Sequence, residues 1–253
     1  PYDRNTVLGI FISIAQSFLT IFAGEPGTGK TSAAGIAAHA LGLGAAGSEG
    51  AAPERANAEV LERYVAVSVE RGWTSKRDFL GFYNSLSERF ESPDYRRTDA
   101  FRQLDEEARL GFDGIPYLML LDEANLSPME FYWADFMNVA DACRTGASSA
   151  FISLGDATRC AVPDTMRFIA TINSDFTTES LSPRLIDRAA VLTLPTPSIA
   201  TLAKPEAPLD WRVREPVVDW QRFLDVFDKP NTPSASVLGK LDEACACYAG
   251  IGR

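Results

Sequence analysis

Histidine is almost missing from this chain, and that removes several chemistries at once. His39 is the only one among 253 residues, so any Ser-His-Asp or Cys-His catalysis has to pass through it. It lies in an alanine-rich run, where a packed or solvated ring is the ordinary outcome. Cysteine is scarce as well. Cys143, Cys160, Cys245 and Cys247 are too few and too irregular for a disulfide scaffold or a zinc ribbon, and a reducing cytoplasm is the expected setting. Basic residues are outnumbered, 24 Lys and Arg against 34 Asp and Glu, for a net charge of −10 and an isoelectric point near 4.7. A broad basic footprint for nucleic acid is therefore excluded on this chain, although a narrow basic channel formed on assembly is not. The most apolar stretch, residues 7–23, is interrupted by Ser13, Gln16, Ser17 and Thr20 and lacks the basic flank of a signal peptide. It reads as a buried helix followed by a first strand, not a membrane span. The start at Pro1 and the ending Gly250-Ile251-Gly252-Arg253 suggest part of a longer protein.

What is present is a phosphate-binding pattern in the right setting. Gly24-Glu25-Pro26-Gly27-Thr28-Gly29-Lys30-Thr31 matches the Walker A form, G-x-x-x-x-G-K-[ST], behind the apolar run 18–22 and ahead of a helical run at 32–43 that opens with Ser32. A triphosphate is well solvated by water, so a protein must replace that water with many oriented donors. Glycines at 24, 27 and 29 let backbone N–H groups approach, and the helix start adds its dipole. Lys30 is expected to reach the terminal phosphates and Thr31 to ligate Mg²⁺. The residues from Gly24 to Ser32 are the candidate nucleotide-binding set.

Two further runs point to the same place. Tyr117-Leu118-Met119-Leu120-Leu121-Asp122-Glu123 is a fully apolar strand closed by two acids, the Walker B form. Asp122 is the expected second Mg²⁺ residue and Glu123 the residue that polarises the attacking water; a strand ending in an ordinary helix cap is the plainer alternative. Phe168-Ile169-Ala170-Thr171-Ile172-Asn173 is a second buried strand, ending in an amide able to orient water or the γ-phosphate. Arg184 and Arg188, before a last strand at 190–195, are either surface charges or an arginine finger for a neighbouring subunit's nucleotide.

The remaining chain is read more coarsely. A flexible connection is expected at 42–53, a helix at 54–63, and a strand at 64–69. Trp73, Phe79, Phe82 and Tyr83 form an aromatic cluster, read as core in preference to a partner-gripping surface. Residues 89–97 look turn-like and 98–110 helical. Ser127-Pro128 is expected to cap one helix over 127–143, and 151–154 with 159–162 to form a hairpin. Beyond Pro195, a proline-rich linker at 196–216 leads to helical stretches at 219–227 and 236–249.

Taken in order, these motifs resemble those of AAA+ ATPases, and more closely the McrB-type branch related to the MoxR and dynein/midasin groups. Leu121-Asp122-Glu123-Ala124-Asn125-Leu126 is similar to that branch's L-D-E-x-N-L. Thr171-Ile172-Asn173 is similar to its G-T-x-N, with Ala170 in place of the glycine. Leu181-Ser182-Pro183-Arg184-Leu185-Ile186-Asp187-Arg188-Ala189 is similar to its S-P-x-x-L-D-R-A. Residues 73–84 resemble the stretch after its second strand, and 151–162 its insertion before the sensor 1 strand. The resemblance covers residues 20–195. It implies an α/β, three-layer αβα P-loop NTPase core at 1–195 with a parallel sheet, then a linker and partial helical lid at 196–253. It also implies hexameric rings with nucleotide between neighbours, Asn173 as sensor 1, Arg188 as the finger with Arg184 second, and Arg253 as the only match for sensor 2. The absence of an N-K-x-D motif favours ATP, while the branch admits GTP.

The function expected on these grounds is a ring NTPase driving a protein partner such as a nuclease, in anti-phage restriction. A MoxR-like chaperone and a nucleotide-gated scaffold with little turnover are the alternatives. Neither direct nucleic-acid binding nor a membrane is expected for this chain.

Overall fold

The computed structural model describes Tyr2 and residues 4–43, 63–110, 116–145, 149–154, 159–173 and 179–196, with 221, 223 and 224. In chain order the elements are α1 (Arg4–Gln16), β1 (Leu19–Gly24), α2 (Lys30–Ala40), β2 (Tyr64–Ser68), α3 (Lys76–Phe79), β3 (Phe82–Asn84), β4 (Arg89–Glu91) and α4 (Tyr95–Leu110). They continue with β5 (Tyr117–Asp122), α5 (Met129–Tyr132), α6 (Ala134–Arg144), β6 (Ser149–Ser153), β7 (Arg159–Pro163), β8 (Met166–Asn173), α7 (Pro183–Ile186) and β9 (Ala189–Thr193). The expected connection at 44–53, the helix at 54–62, the turn at 155–158, the linker from 197 and the C-terminal stretches with Arg253 lie outside the described residues. Residues 221, 223 and 224 are the exception and are helical.

Five strands form one sheet in the order β2-β5-β8-β1-β9, and every pairing in it is parallel. Parallel strands need covered faces, because both sides of each strand are apolar. The side chains divide accordingly. Leu19, Ile21, Met119, Leu121, Phe168 and Ala170 enter one core with Phe101 of α4 and Phe136 of α6. Phe22, Leu118, Leu120 and Ile169 enter the other with Ile10 and Ile14 of α1 and the alanines 33, 34, 37 and 38 of α2. The chain is thus an α/β fold with helices on both sides of its central sheet. Small alanines let α2 lie close to the sheet, which brings the start of that helix to the carboxyl ends of the strands.

The other helical face is built from rings. Phe136 and Phe168 lie 4.9 Å apart, Trp133 and Phe168 5.3 Å, and Trp73 and Tyr132 5.2 Å. Trp133 itself breaks the helix expected over 127–143: its backbone sits at φ −106°, ψ 13°, so α5 and α6 are separate. The indole is fully buried there, while the Trp133 N–H still donates to the Met129 carbonyl at 2.9 Å. Nor does Ser127 cap that helix. Its hydroxyl accepts from the Gly72 and Trp73 N–H groups at 3.0 and 3.1 Å and donates to the Glu70 carbonyl at 2.8 Å.

The aromatic cluster divides. Trp73 and Phe79 are core, whereas Phe82 and Tyr83 are 38% and 39% exposed on a β3–β4 hairpin. That hairpin replaces the turn expected at 89–97, and α4 begins earlier than expected, at Tyr95. Gly81 allows it, since at φ 106° a side-chain Cβ would collide with the Glu91 carbonyl. The β6–β7 hairpin forms as expected. The N-terminal helix is only half buried: Ile10, Ile14 and Ala15 pack inward, while Val7, Leu8 and Ile12 are exposed.

Arg167 ties α1 to the sheet from within. Its guanidinium donates to the carbonyls of Ile14 at 3.0 Å, Ala15 at 3.4 Å, Met166 at 2.8 Å and Asp164, with the Asp164 carboxylate 3.6 Å away. The last carbonyls of a helix lack intrahelical donors, so a buried cation there satisfies them and opposes the dipole. Replacing Arg167 by methionine strands those acceptors. The expected loss is about 3 kcal/mol of folding free energy, read as a lower urea midpoint with unchanged slope.

Candidate functional site

Because the sheet is parallel, the ends of β1, β5 and β8 meet at one edge. Gly24 pairs in register with Asn173, and Ser68 with Asp122. The loop after β1 closes on itself before entering α2. The Thr28 hydroxyl donates to the Glu25 carbonyl at 3.0 Å, and Gly29, at φ 82°, occupies the N-cap position of α2. A side chain at Gly29 would press on the Tyr2 hydroxyl, which donates to the Thr28 carbonyl at 2.7 Å. The Lys30 ammonium donates to the carbonyls of Gly24 at 3.0 Å and Glu25 at 2.7 Å. Burial lowers its pKa, and the nearby charges of Asp122 and Glu123 push it back up.

The acids are joined to this loop directly. Oδ1 of Asp122 accepts from the Thr31 hydroxyl at 2.7 Å and from the Thr171 hydroxyl at 2.6 Å. Glu123 follows in a left-handed conformation, φ 53° and ψ 45°, which a residue with a side chain adopts only at a cost. Its N–H donates to the Thr171 hydroxyl oxygen at 2.9 Å, and its carboxylate accepts from Asn173 Nδ2 at 3.4 Å. A pocket of about 280 Å³ is lined by Pro26, Gly27, Gly29, Lys30, Thr31, Ser32, Asp122, Glu123, Thr171 and Asn173.

Three contributors escape the motif reading. Thr171 links both acids. Asn125 fixes the β8 tip as another backbone would: its amide donates to the Asn173 carbonyl at 2.9 Å and its oxygen accepts from the Asn173 N–H at 3.2 Å. Tyr2 braces the loop from the chain's start. Asn125 and Thr171 left a trace in the sequence, as letters of the L-D-E-x-N-L and G-T-x-N strings with no role attached, whereas Tyr2 left none.

The arginines are elsewhere. Ala189 pairs with Leu19, so Arg188 lies beyond the amino end of β9 while Gly24 is at the carboxyl end of β1. At about 3.3 Å per residue the two edges are roughly 17 Å apart. Arg188 is held by Asp141 at 2.7 Å and by the Arg184 carbonyl at 2.7 Å, and it lines a second pocket of about 320 Å³ with Arg144, Arg167 and Cys143. Arg184 is exposed. The structure thus assembles Lys30, Thr31, Asp122, Glu123 and Asn173 around one pocket, and neither arginine is among the residues that line it.

The donor set fits a hard divalent cation held with a phosphate. Mg²⁺ binds through one or two protein oxygens and keeps its other positions for water and phosphate oxygens. The paired Thr31 hydroxyl and Asp122 carboxylate supply those oxygens beside the lysine. Among the described residues no cluster of three or more His, Cys, Asp and Glu offers an all-protein metal cage, and no helix is long and apolar enough to cross a membrane. No protein-family model matches the sequence, and no curated protein matches it.

Proposed function

We propose that this chain is a nucleoside triphosphatase with a P-loop core of the AAA+ type. The observation that carries this reading is the 2.7 Å contact between Thr31 and Asp122, residues 91 apart in sequence, at the edge where Lys30, Glu123 and Asn173 also lie. In this reading the loop N–H groups and Lys30 bind the phosphates, and Thr31 and Asp122 hold Mg²⁺. Held there, the cation would supply charge neutralisation to the phosphates. Glu123 takes a proton from the attacking water, and Asn173 orients the carboxylate and the water it faces. Water addition to the γ-phosphorus yields nucleoside diphosphate and inorganic phosphate.

The substrate is ATP or GTP, and the active form is a ring in which Arg188 of one subunit completes the site of the next. Its far-edge position supports a trans role over a cis one. The partner proposed for such a motor is a nuclease subunit or domain in anti-phage restriction.

Equilibrium binding of fluorescent ATP and GTP analogues with Mg²⁺, paired with phosphate-release kinetics, tests the core of this reading. Lys30→Ala is expected to weaken binding by about tenfold to a hundredfold, the worth of one or two charge-assisted hydrogen bonds. Equal binding by the two chains overturns it.

A further inference from the structure

The hydroxyl of Thr171 holds a position that the motifs do not explain. It is 1% exposed near the tip of β8, one residue past the Leu121 and Ala170 pair that joins β8 to β5. A hydroxyl has one proton and two acceptor sites, and here both capacities are used. The proton goes to Oδ1 of Asp122 at 2.6 Å, and the oxygen accepts from the Glu123 N–H at 2.9 Å. Asp122 and Glu123 are therefore referenced to the same atom, on a strand that is neither theirs nor the loop's.

The Glu123 backbone makes that reference necessary. Its left-handed φ and ψ are unfavourable for a residue with a side chain, and such conformations persist only where the surroundings over-determine them. The flanking carbonyls are anchored, Asp122 by the Val69 N–H at 3.0 Å and Ala124 by the Tyr132 hydroxyl at 2.8 Å. The backbone of Glu123 itself is held by its N–H to Thr171 and by its carbonyl accepting from the Leu126 N–H at 3.0 Å. With the bond to Thr171 lost, the chain between Asp122 and Ala124 can relax and swing the Glu123 carboxylate away from Asn173. Asp122 meanwhile keeps its bond from Thr31.

We propose that Thr171 is a positioning residue that sets the water-activating carboxylate against the metal-holding one. This deepens the triphosphatase reading and rests on it. Serine supplies the same donor and acceptor, whereas valine fills nearly the same volume with neither. Thr171→Val is expected to lower kcat by about tenfold to a hundredfold, the scale of an ångström-sized misplacement of a reacting group. KM for nucleotide should stay within about threefold, since the phosphate-binding loop is untouched. Thr171→Ser is expected to retain kcat within about threefold, a rescue that a purely packing role would not produce.

A second readout needs no turnover. The Glu123 amide exchanges with solvent through local opening, and losing its acceptor should speed exchange in Thr171→Val by about tenfold or more over Thr171→Ser. If the wild-type chain hydrolyses no nucleotide, the function above fails, and the exchange comparison still decides the role of Thr171. Unchanged exchange, or unchanged kcat in an active enzyme, overturns the proposal. Should the valine chain not fold, Thr171→Ala takes its place in both comparisons.

Discussion

Glu123→Gln is expected to reduce phosphate release by about 10²- to 10⁴-fold while leaving nucleotide binding intact, the range over which a positioned general base acts. The substitution is close to isosteric. A glutamine oxygen still accepts from Asn173 Nδ2, and the backbone N–H still reaches Thr171, so what is lost is the proton acceptor alone. Lys30→Ala differs in kind, since it weakens binding before any chemistry. Measured together under saturating nucleotide, the two variants separate ground-state binding from transition-state stabilisation. If Glu123→Gln turns over at the wild-type rate, the catalytic assignment fails and the nucleotide-gated scaffold becomes the better account of the pocket.

The parts of the site that could be read from sequence are those whose meaning is carried by one local segment. An apolar run ending in Asp122-Glu123 can only be a covered strand with its acids at one end, and the glycines before Lys30 mark a turn into a helix. Because neighbouring strands in such a sheet run the same way, separate segments could be placed at one edge before any coordinates. Thr171 was legible only as a letter of the G-T-x-N string, and its role was not. It sits in an apolar strand as any β-branched residue does, and its role comes from the register between β5 and β8, which no spacing encodes. Ser127 misled for the opposite reason: Ser-Pro is a good helix start, but a loop at residues 70–73 claimed the hydroxyl. Trp133 interrupts a helical pattern because the core on that side is made of large rings and needs the indole. Local preference placed the elements; the fitting of side chains between distant segments decided the details.

Arg188→Ala should abolish most turnover in a way that only a second subunit can repair. The guanidinium lies at the amino edge of the sheet, across the molecule from the loop between β1 and α2, so it cannot serve the pocket of its own chain. If it completes a neighbour's site, its removal costs about 10³-fold or more in kcat, the scale set by arginine fingers elsewhere. A chain with Arg188→Ala keeps a sound pocket and lacks a finger; a chain with Lys30→Ala has the reverse defect. Each is expected to be inactive alone. Mixed in equal amounts, they place an intact pocket next to an intact finger at about a quarter of head-to-tail interfaces, and activity should recover toward that fraction. Arg184→Ala, one helical turn away and exposed, should leave turnover near wild type in the same assay. Thermal melting of each variant separates loss of the finger from loss of the fold, because Arg188 also pairs with Asp141. Recovery only to the sum of the two pure preparations means that Arg188 serves its own subunit's fold and not its neighbour's chemistry.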